Sequence, residues 1–486
     1  MSPSHSTNKW LVLVLLCSAQ FMVILDATVV NVALPAIQRD LGFSSADLAW
    51  VVNGYTLVFG GFLLLGGRAG DFIGRKRVFL WGLAIFSGAS LLNGLATSSE
   101  WLIAARALQG LGAALVSPAA LSIVTVTFAE GAERTKALGV WSAIAAGGGA
   151  FGLLLGGILT ETLSWEWIFF INVPIGIAAG LLTLRHVPES RADVRPESAD
   201  VAGAVSVTAG LMVLVYAIVK AEDWGFGAGK TLGLVGVAFA LLAAFVVVES
   251  RSKAPLIPLR IFRVRSLSSV NGVMLLVAGG MFAFFFLSTL YVQLILGYDA
   301  LEAGLAFLPV TAGIMIGAGL AQTLIRRFGV RLVSIVGMCI ASAGLFAMSG
   351  VSVDGSYLGD VLPGLVPMAI GMGLTFVPLT LIATTNVARD DAGLASGLFN
   401  TSQQVGGALG LAVLSVVAAD RSSSVLSDLG RTDPLSQASA LVEGYQLAFQ
   451  VAAALVLVSA IAIAVLLRAR DVASVNPDEA PALAGA

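Results

Sequence analysis

Long apolar runs recur along the whole 486-residue chain, and they restrict its fold more than any other feature. A helix needs about 20 apolar residues to cross a bilayer, because every backbone polar group must be satisfied within the segment there. Only 12% of the residues are charged, about half the share of a soluble protein. The sequence therefore predicts an all-α polytopic membrane protein. Its fourteen predicted spans are 11–34, 48–66, 78–96, 102–126, 137–160, 167–184, 200–219, 232–249, 267–293, 302–325, 331–349, 360–385, 393–418 and 445–467.

The distribution of basic residues predicts the orientation of these spans. If the N-terminus lies inside, the inside segments hold 21 of the 27 Lys and Arg residues, five lie outside, and Arg106 lies within a span. Cytoplasmic loops carry such an excess of basic residues. We therefore expect a multi-pass protein of a bacterial inner (cytoplasmic) membrane with both termini in the cytoplasm.

The rarer residues argue against several function classes. Cys17 and Cys339 lie in apolar runs, and the two histidines, His5 and His186, lie outside the spans. The segment GFGAGKT (225–231) lacks the first glycine of a phosphate-binding loop, because position 224 is Trp. No nucleic-acid partner, catalytic residue, metal site or cofactor-binding residue is expected, and a membrane enzyme or a channel is disfavoured.

An internal repeat predicts the domain organisation. GGAFG (148–152) recurs as GGALG (406–410), 258 residues later. This offset is longer than a half of six spans, and the difference is about the length of spans seven and eight. The predicted units are an N-terminal six-helix half (1–198), a two-helix insert (199–258), a C-terminal six-helix half (259–470) and a disordered cytoplasmic tail (471–486).

Two ionisable residues stand out because they lie well inside spans. Placing a charge there costs a few kcal/mol, so such a residue is a candidate for a functional role. Asp26 follows Trp10 by 16 residues, about 24 Å along a helix. Arg106 lies four residues into the fourth span, about 6 Å from its outer end, so the two match in depth. Asn31 is rotated about 140° from Asp26 and is expected to face a neighbouring helix.

Three roles remain open for this pair. Asp26 could carry the proton of a coupled transport cycle, with Arg106 as its electrostatic partner. The two could instead form a permanent ion pair that locks helix packing, or Asp26 could contact only the cationic group of a substrate. The polar Gln109, one turn beyond Arg106, is expected to contact a cavity or another helix.

Six motifs, in chain order, resemble those of the major facilitator superfamily, specifically its fourteen-span drug:proton antiporter branch. They are LDATVVNVALPAI (25–37), GGRAGDFIGRKR (66–77), RALQGLGAA (106–114), SWEWIFFINVPIG (164–176), GYDALEAGLAFLP (297–309) and DAGLASGLFNTSQQVGGALG (391–410). The resemblance implies two six-helix halves with a two-helix insert. It also implies export of drug-like or antibiotic compounds in exchange for protons by alternating access.

The resemblance also assigns roles to two groups of residues. A cytoplasmic gate, which would tie spans two and three to the other half in the outward-open state, comprises Gly66, Gly70, Asp71, Gly74 and Arg75. The alternative for this turn is a basic loop that only sets topology. The helix-packing antiporter motif of span five comprises Gly148, Gly152, Gly156 and Gly157, with Leu153 where the family usually has proline.

Amphipathic aromatic and amide side chains in the spans predict a substrate cavity. The candidates are Trp50, Asn53, Tyr55, Gln109, Trp141, Phe284, Asn400 and Gln404. The expected partners are protons, the lipid bilayer and an amphipathic or cationic small molecule, and the expected state is a monomer driven by the proton gradient without a cofactor. A dedicated exporter of one endogenous metabolite or lipid is the alternative, followed by an uptake symporter.

Overall fold

The computed structural model describes residues 9–44, 47–128, 132–190, 200–225, 227–252, 255–384, 387, 392–430, 433–468 and 472. Not described are the side chains of Asp71, Glu222, Thr384, Ala392 and some residues within 132–150. The predicted tail, 471–486, lies outside the described residues except for Val472.

All regular elements of the described residues are helical. The α-helices are α1 (Lys9–Leu41), α2 (Trp50–Ile73), α3 (Arg75–Gly94), α4 (Ser99–Thr127), α5 (Ala132–Thr162), α6 (Trp167–Phe170), α7 (Asn172–His186), α8 (Val201–Trp224), α9 (Gly229–Arg251), α10 (Arg265–Leu290), α11 (Ala300–Ala306), α12 (Leu308–Met348), α13 (Leu362–Thr384), α14 (Ala392–Leu429) and α15 (Pro434–Leu466). We call α1–α7 the N-terminal group and α10–α15 the C-terminal group.

Eleven helical stretches of the described residues are long and apolar enough to cross a membrane. Predicted spans ten and eleven count as one of them, because α12 runs through Gly329, where only φ of 79° interrupts the helix. Helix α3 is not among the eleven, since it begins with the basic run 75–77 and carries several polar side chains. Among the described side chains of α5, Phe151–Thr162 forms a shorter apolar stretch. The count of fourteen spans therefore stays a prediction.

The two ends of the helix bundle differ in charge. We call the end with the α2–α3 turn at 74–77 and the basic break of α12 at 326–331 the basic end. The other end, which holds Asp40, Trp165 and Asp299, is the opposite end. Some helices continue well past the predicted spans at the opposite end, as α1 does through Pro35 to Leu41.

Glycines permit matching helix contacts in the two groups. Helix α5 packs on α1, where a Cβ at Gly152 would lie 2.0 Å from Thr28 Oγ1 and one at Gly156 would lie 2.8 Å from the Val29 carbonyl oxygen. Helix α14 packs on α10 in the same way, because a Cβ at Gly410 would lie 2.1 Å from Gly279 Cα. The repeated glycine motif therefore builds the same type of close helix pair twice.

The two groups meet at the opposite end through α5 and α11. A Cβ at Gly157 would lie 2.5 Å from the Ala300 carbonyl oxygen, and one at Gly304 would lie 2.7 Å from that of Leu153. Gln293 adds a polar contact, because its Nε2 donates to the carbonyl oxygen of Val32 in α1 at 2.8 Å. Gly157 thus differs from Gly152 and Gly156, since it contacts the other group.

Helix α8 covers the seam between α2 and α14. Adjacent glycines of α2 contact both neighbours, since Gly60 faces Gln404 of α14 and Gly61 faces Thr208 of α8. Leu211 and Val215 of α8 share an apolar cluster with residues of α2 and α14. At the opposite end, Lys220 Nζ lies 3.0 Å from an Asp47 carboxylate oxygen.

Replacing Gly157 with Ala is expected to push α5 away from α11, because the backbone carbonyl of Ala300 cannot rotate aside as a side chain can. Overpacking of this kind costs about 1–3 kcal/mol. We expect a lower melting temperature of the detergent-solubilised protein. Gly319→Ala in α12 is the control, since nothing lies within 4 Å of that position. An equal effect of the two substitutions would contradict the close α5–α11 contact.

Candidate functional site

Asp26 of α1 and Arg106 of α4 form a buried ion pair. Arg106 Nη1 donates to Asp26 Oδ2 at 2.5 Å, and both side chains are almost completely shielded from solvent. The two residues lie at the same depth, as the count of helical turns predicts. A charge pair inside a protein is tolerated only where further hydrogen bonds satisfy its remaining polar atoms.

The second oxygen of Asp26 is satisfied by two amides. Asp26 Oδ1 accepts from Gln109 Nε2 at 2.7 Å and from Asn172 Nδ2 at 2.9 Å. Gln109 lies one turn beyond Arg106 on α4, whereas Asn172 is the first residue of α7. The carboxylate is therefore held from two further directions besides its ion pair.

Gln109 connects the ion pair to α3. Its Oε1 accepts from Arg106 Nη1 at 2.6 Å and from Asn93 Nδ2 at 2.7 Å, while its Nε2 also donates to Ser90 Oγ at 2.6 Å. Short side chains on α3 reach α4 because the helices pack closely, as at Gly112, where a Cβ would lie 2.6 Å from the backbone nitrogen of Phe86. We call the following residues the ion-pair cluster: Asp26, Ser90, Asn93, Arg106, Gln109 and Asn172.

The guanidinium of Arg106 is enclosed on its other sides as well. Its Nε donates to the Val51 carbonyl oxygen of α2 at 2.9 Å. The Tyr55 ring lies over it with 4.4 Å from the guanidinium carbon to the ring centroid, and the Phe169 ring lies at 5.7 Å. Such cation–π contacts stabilise a desolvated cation by about 2 kcal/mol. Arg106 therefore contacts three neighbouring helices, α1, α2 and α6, besides Gln109 of its own helix.

A cavity of about 240 Å³ lies between the two groups, next to this cluster. Tyr55 and Arg106 belong to its wall, whereas Asp26, the partner of Arg106, is not among the described wall residues. Drug-sized ligands occupy pockets of about 300–1,000 Å³, so this central cavity must widen to admit one. Further wall residues are Thr28, Asn31, Leu153, Met281, Phe282, Phe285, Thr311, Met315 and Gln404.

Of the eight predicted cavity residues, Tyr55 and Gln404 line the central cavity. Gln109 lies in the ion-pair cluster instead, and Trp50 packs against Tyr216 of α8 with 6.4 Å between ring centroids. Asn400 lines a separate cavity of about 180 Å³ in the C-terminal group. These three placements correct the prediction, because a helix that is apolar all round gives no sequence signal for the face that meets a cavity.

The remaining three predicted residues also lie away from the central cavity. Asn53 is fully buried, and its side chain makes no hydrogen bond to the described residues. Trp141 packs against the apolar core of the N-terminal group. Phe284 is fully buried between Phe285 and Phe449. The prediction missed the neighbouring position, Phe282, which does line the cavity.

Asn31 was expected to face a neighbouring helix, and this expectation is wrong. It lines the central cavity, and its Nδ2 donates to the carbonyl oxygens of Ala27 and Thr28 within its own helix. The rotation of about 140° from Asp26 has a simple consequence. Asp26 points into the N-terminal group, and Asn31 points toward the C-terminal group.

The predicted gate residues lie at the basic end, around the sharp α2–α3 turn. Gly74 has φ of 125°, which only glycine adopts without strain, and its N–H donates to the Gly70 carbonyl oxygen at 3.1 Å. The Arg75 N–H donates to the Ser190 carbonyl oxygen at 3.0 Å. Gly66 lies outside the turn and packs against the Ala114 backbone of α4. The side chain of Asp71 lies outside the described residues.

Glu189, which the sequence analysis missed, supports this turn from the segment after α7. Its Oε1 accepts from the Lys76 N–H at 3.1 Å, and its Oε2 lies 3.7 Å from Arg77 Nε. A carboxylate at the first turn of α3 is favourable because helix N-termini carry a partial positive charge. The turn is thus held by an acidic residue that is distant in sequence.

Ser90, Asn93 and Asn172 are the other residues that the sequence analysis missed. Ser90 and Asn93 share a face of α3 at i, i+3 spacing, and Asn172 starts α7. A search for all polar residues within spans, rather than for ionisable ones alone, would have found them.

The cluster can change charge only at its carboxylate, because arginine stays protonated in proteins. Protonation of Asp26 would leave Arg106 without its counter-ion in a buried site, which favours rearrangement of the helices that hold it. Among the described residues no group of three His, Cys, Asp or Glu side chains could hold a metal ion.

Comparison with known proteins gives the family of the chain. A family model described as the Major Facilitator Superfamily matches residues 16–411. A puromycin resistance protein of Streptomyces alboniger is 40% identical over 474 residues, which cover 96% of this chain and 93% of that protein. A cephamycin export protein of Amycolatopsis lactamdurans is 44% identical over 431 residues, which cover 88% of each chain.

A solved structure shares the fold at low sequence identity. A bacterial homolog of the human lysosomal transporter Spinster, in an inward-facing and unoccupied conformation, aligns with a TM-score of 0.68. The alignment covers 97% of this chain and 98% of that one at 17% identity.

The ion pair generates a prediction about stability. Arg106→Gln or Asp26→Asn alone should destabilise the protein by about 3–5 kcal/mol, because each leaves a buried polar partner unmatched. The double variant should be more stable than the worse single variant, since it leaves only neutral amides. Thermal unfolding in detergent measures these differences.

The control pair for this cycle is Arg421 and Glu443, which lie 2.5 Å apart and are nearly half exposed. Its neutralisation should change stability by less than about 1 kcal/mol. Strictly additive losses at Asp26 and Arg106 would contradict the coupling that the hydrogen bonds indicate.

A second prediction concerns the α2–α3 turn. Gly74→Ala forces a non-glycine residue into a conformation that costs about 1–3 kcal/mol and places a Cβ 2.6 Å from Glu189 Oε1. We expect a lower melting temperature and reduced transport. Gly227→Ala is the control, because that loop glycine has nothing within 4 Å. Wild-type behaviour of Gly74→Ala would refute the role of Gly74 in shaping the turn.

Proposed function

Because the chain belongs to the Major Facilitator Superfamily and is a multi-pass membrane transporter, we propose that it exports drug-like or antibiotic compounds in exchange for protons. The observation that carries this proposal is the buried Asp26–Arg106 pair next to a cavity between two helix groups. The names of the relatives support the substrate class, since they are described as a puromycin resistance protein and a cephamycin export protein.

We propose fourteen spans, arranged as two six-helix halves (1–198 and 259–470) around a two-helix insert (199–258). The basic end would face the cytoplasm, because basic residues are enriched in cytoplasmic loops. Both termini would then be cytoplasmic, and the protein would work as a monomer in a bacterial inner membrane.

Asp26 is the proposed proton carrier. In its charged form it is matched by Arg106 and two amides, so this form is stable while buried. A proton that arrives from the outside removes that match, and the uncompensated guanidinium then favours a different helix arrangement. In that arrangement Asp26 would give its proton to the cytoplasmic side, and the ionised carboxylate would pair with Arg106 again.

Alternating access would use the contacts between the two groups. The α5–α11 contact at Gly157 and the hydrogen bond from Gln293 to Val32 close the opposite end, and both would break to open the cavity outward. The α2–α3 turn around Gly74, with Asp71 and Arg75, would close the basic end in that state.

A dedicated exporter of one compound is the second candidate, because each relative named above is described by a single antibiotic. Susceptibility of an efflux-deficient bacterial host to a drug panel separates the two. Protection against many unrelated compounds supports broad export, and protection against one supports dedicated export. Greater sensitivity caused by uptake would exclude both.

The coupling is tested in everted membrane vesicles that carry an acidic lumen. Addition of a compound against which the protein protects the host in the drug panel should release protons and raise the lumen pH. Asp26→Asn should abolish this release, because an amide cannot carry the proton. Asp223→Asn is the control, since Asp223 is exposed and, among the described residues, pairs with Lys220 alone. Proton release that is unchanged in Asp26→Asn would overturn the assignment.

A further inference from the structure

We infer that the central cavity takes electrically neutral, mostly apolar compounds and discriminates against both cations and anions. This inference rests on the proposed export function and specifies its substrate class. It narrows the sequence-based expectation of an amphipathic or cationic substrate. Four properties of the cavity wall carry it.

The first property is that no carboxylate is available to a bound cation. The helices that form the wall carry few acidic residues away from their ends, and Asp26 is one of them. Asp26 is fully buried, and both of its oxygens already accept hydrogen bonds. On α14, Asp420 follows the wall residue Gln404 by 16 residues, about 24 Å along the helix. A cation would therefore lose its hydration without gaining a counter-ion.

The second property is that the aromatic rings of the wall already have packing partners. Aromatic rings can replace a carboxylate in binding cations. Here one face of the Tyr55 ring holds the Arg106 guanidinium, so a cation on the other face would meet a positive charge, and Phe282 packs against Gly407. Phe285 lies between Phe284 and Phe307, with ring centroids 5.5 and 6.3 Å away. The wall therefore offers apolar surface rather than a cation-binding cage.

The third property concerns anions. Among the described residues of the cavity wall, Arg106 is the one that carries a charge, and its side chain is 1% exposed. An anion could bind it only by displacing Asp26 or the Tyr55 ring. Displaced Asp26 would then be a buried charge without a partner, which is strongly unfavourable. In the arrangement that the structure shows, with Asp26 ionised, the ion pair presents zero net charge to the cavity, so neither a cation nor an anion gains a counter-ion there.

The fourth property is the presence of neutral hydrogen-bonding groups. The Thr311 hydroxyl and the Gln404 amide make no hydrogen bond to the described residues, and Asn31 Oδ1 accepts none from them. Around them lie apolar side chains such as Met281, Ile314 and Met315. A ligand with an apolar body and a few uncharged polar groups would match this wall.

A matched series of probes tests the inference. The probes are one naphthalene sulfonamide with a hydroxyethyl, a trimethylammonioethyl or a carboxyethyl arm, which are neutral, cationic and anionic. Binding to the purified full-length protein in detergent is measured from the fluorescence of the probe. We expect the neutral probe to bind at least about tenfold more tightly than either charged probe. A charged probe that binds as well as the neutral one, or better, overturns the inference.

A designed carboxylate gives the reciprocal test. Thr311→Asp places an acidic group in the cavity wall and should make the cationic probe bind better than the neutral one. Thr311→Asn is the matched control, because the Asn side chain has nearly the same shape as that of Asp but no charge. This variant should still bind the neutral probe more tightly than the cationic one. If Thr311→Asp leaves the preference unchanged, the cavity does not select by charge, and the inference fails.

The binding assay separates this inference from the proposed function. Neutral preference in binding without probe-induced proton release in vesicles would contradict the exchange mechanism and leave the substrate class standing. Proton release induced best by the cationic probe would support exchange and overturn the substrate class.

Discussion

The buried pair of Asp26 and Arg106 is the interaction on which the N-terminal group depends. An ion pair in an apolar surrounding is only weakly stabilising by itself, and it persists because other groups complete its hydrogen bonds. Here those groups come from different helices: Gln109 from α4, Asn172 from α7 and the Val51 carbonyl from α2. The pair therefore fixes the relative positions of four helices. A change in its charge acts on all of them at once, which is what a proton-driven conformational change needs.

Tyr55 connects this charge site to the cavity. One face of its ring covers the guanidinium of Arg106, and the residue also lines the cavity. A ligand in the cavity and a proton on Asp26 would thus act on the same ring from two sides. Coupling between the two sites then requires only the movement of one aromatic side chain, and no long path through the protein. The reciprocity of such coupling means that substrate binding would change proton affinity as much as the proton changes substrate affinity.

The sequence predicts the all-helical fold from its apolar runs, and it predicts that Asp26 and Arg106 meet from the rise of 1.5 Å per residue along their helices. It predicts the rotation of each helix poorly. Trp50, Trp141 and Phe284 lie on helices that are apolar on every side, so nothing in their sequence marks the face toward the cavity. Asn31 shows the same limit: the sequence predicts that it faces away from Asp26, but not that this face of α1 meets the central cavity. The sequence does not single out Ser90 and Asn172, because their role depends on contacts between helices that are distant in sequence. Asn172 of α7 donates to both Asp26 and Ser90.

The contacts of α8 show how an added helix can belong to one side of a moving boundary. It makes an ion pair from Lys220 to Asp47, in the turn just before α2, and Thr208 closely approaches Gly61 of α2. Thr208 and Lys220 are about 18 Å apart along α8, so the two contacts together resist rotation of α8 relative to α2. Against α14, by contrast, the contacts are apolar: the shared cluster contains Ala408 and Ala412, and Val405 and Leu409 pack against it. Apolar contacts lack the directionality of an ion pair, so under the proposed rocking of the two groups α8 would stay with α2 while its contact with α14 adjusts.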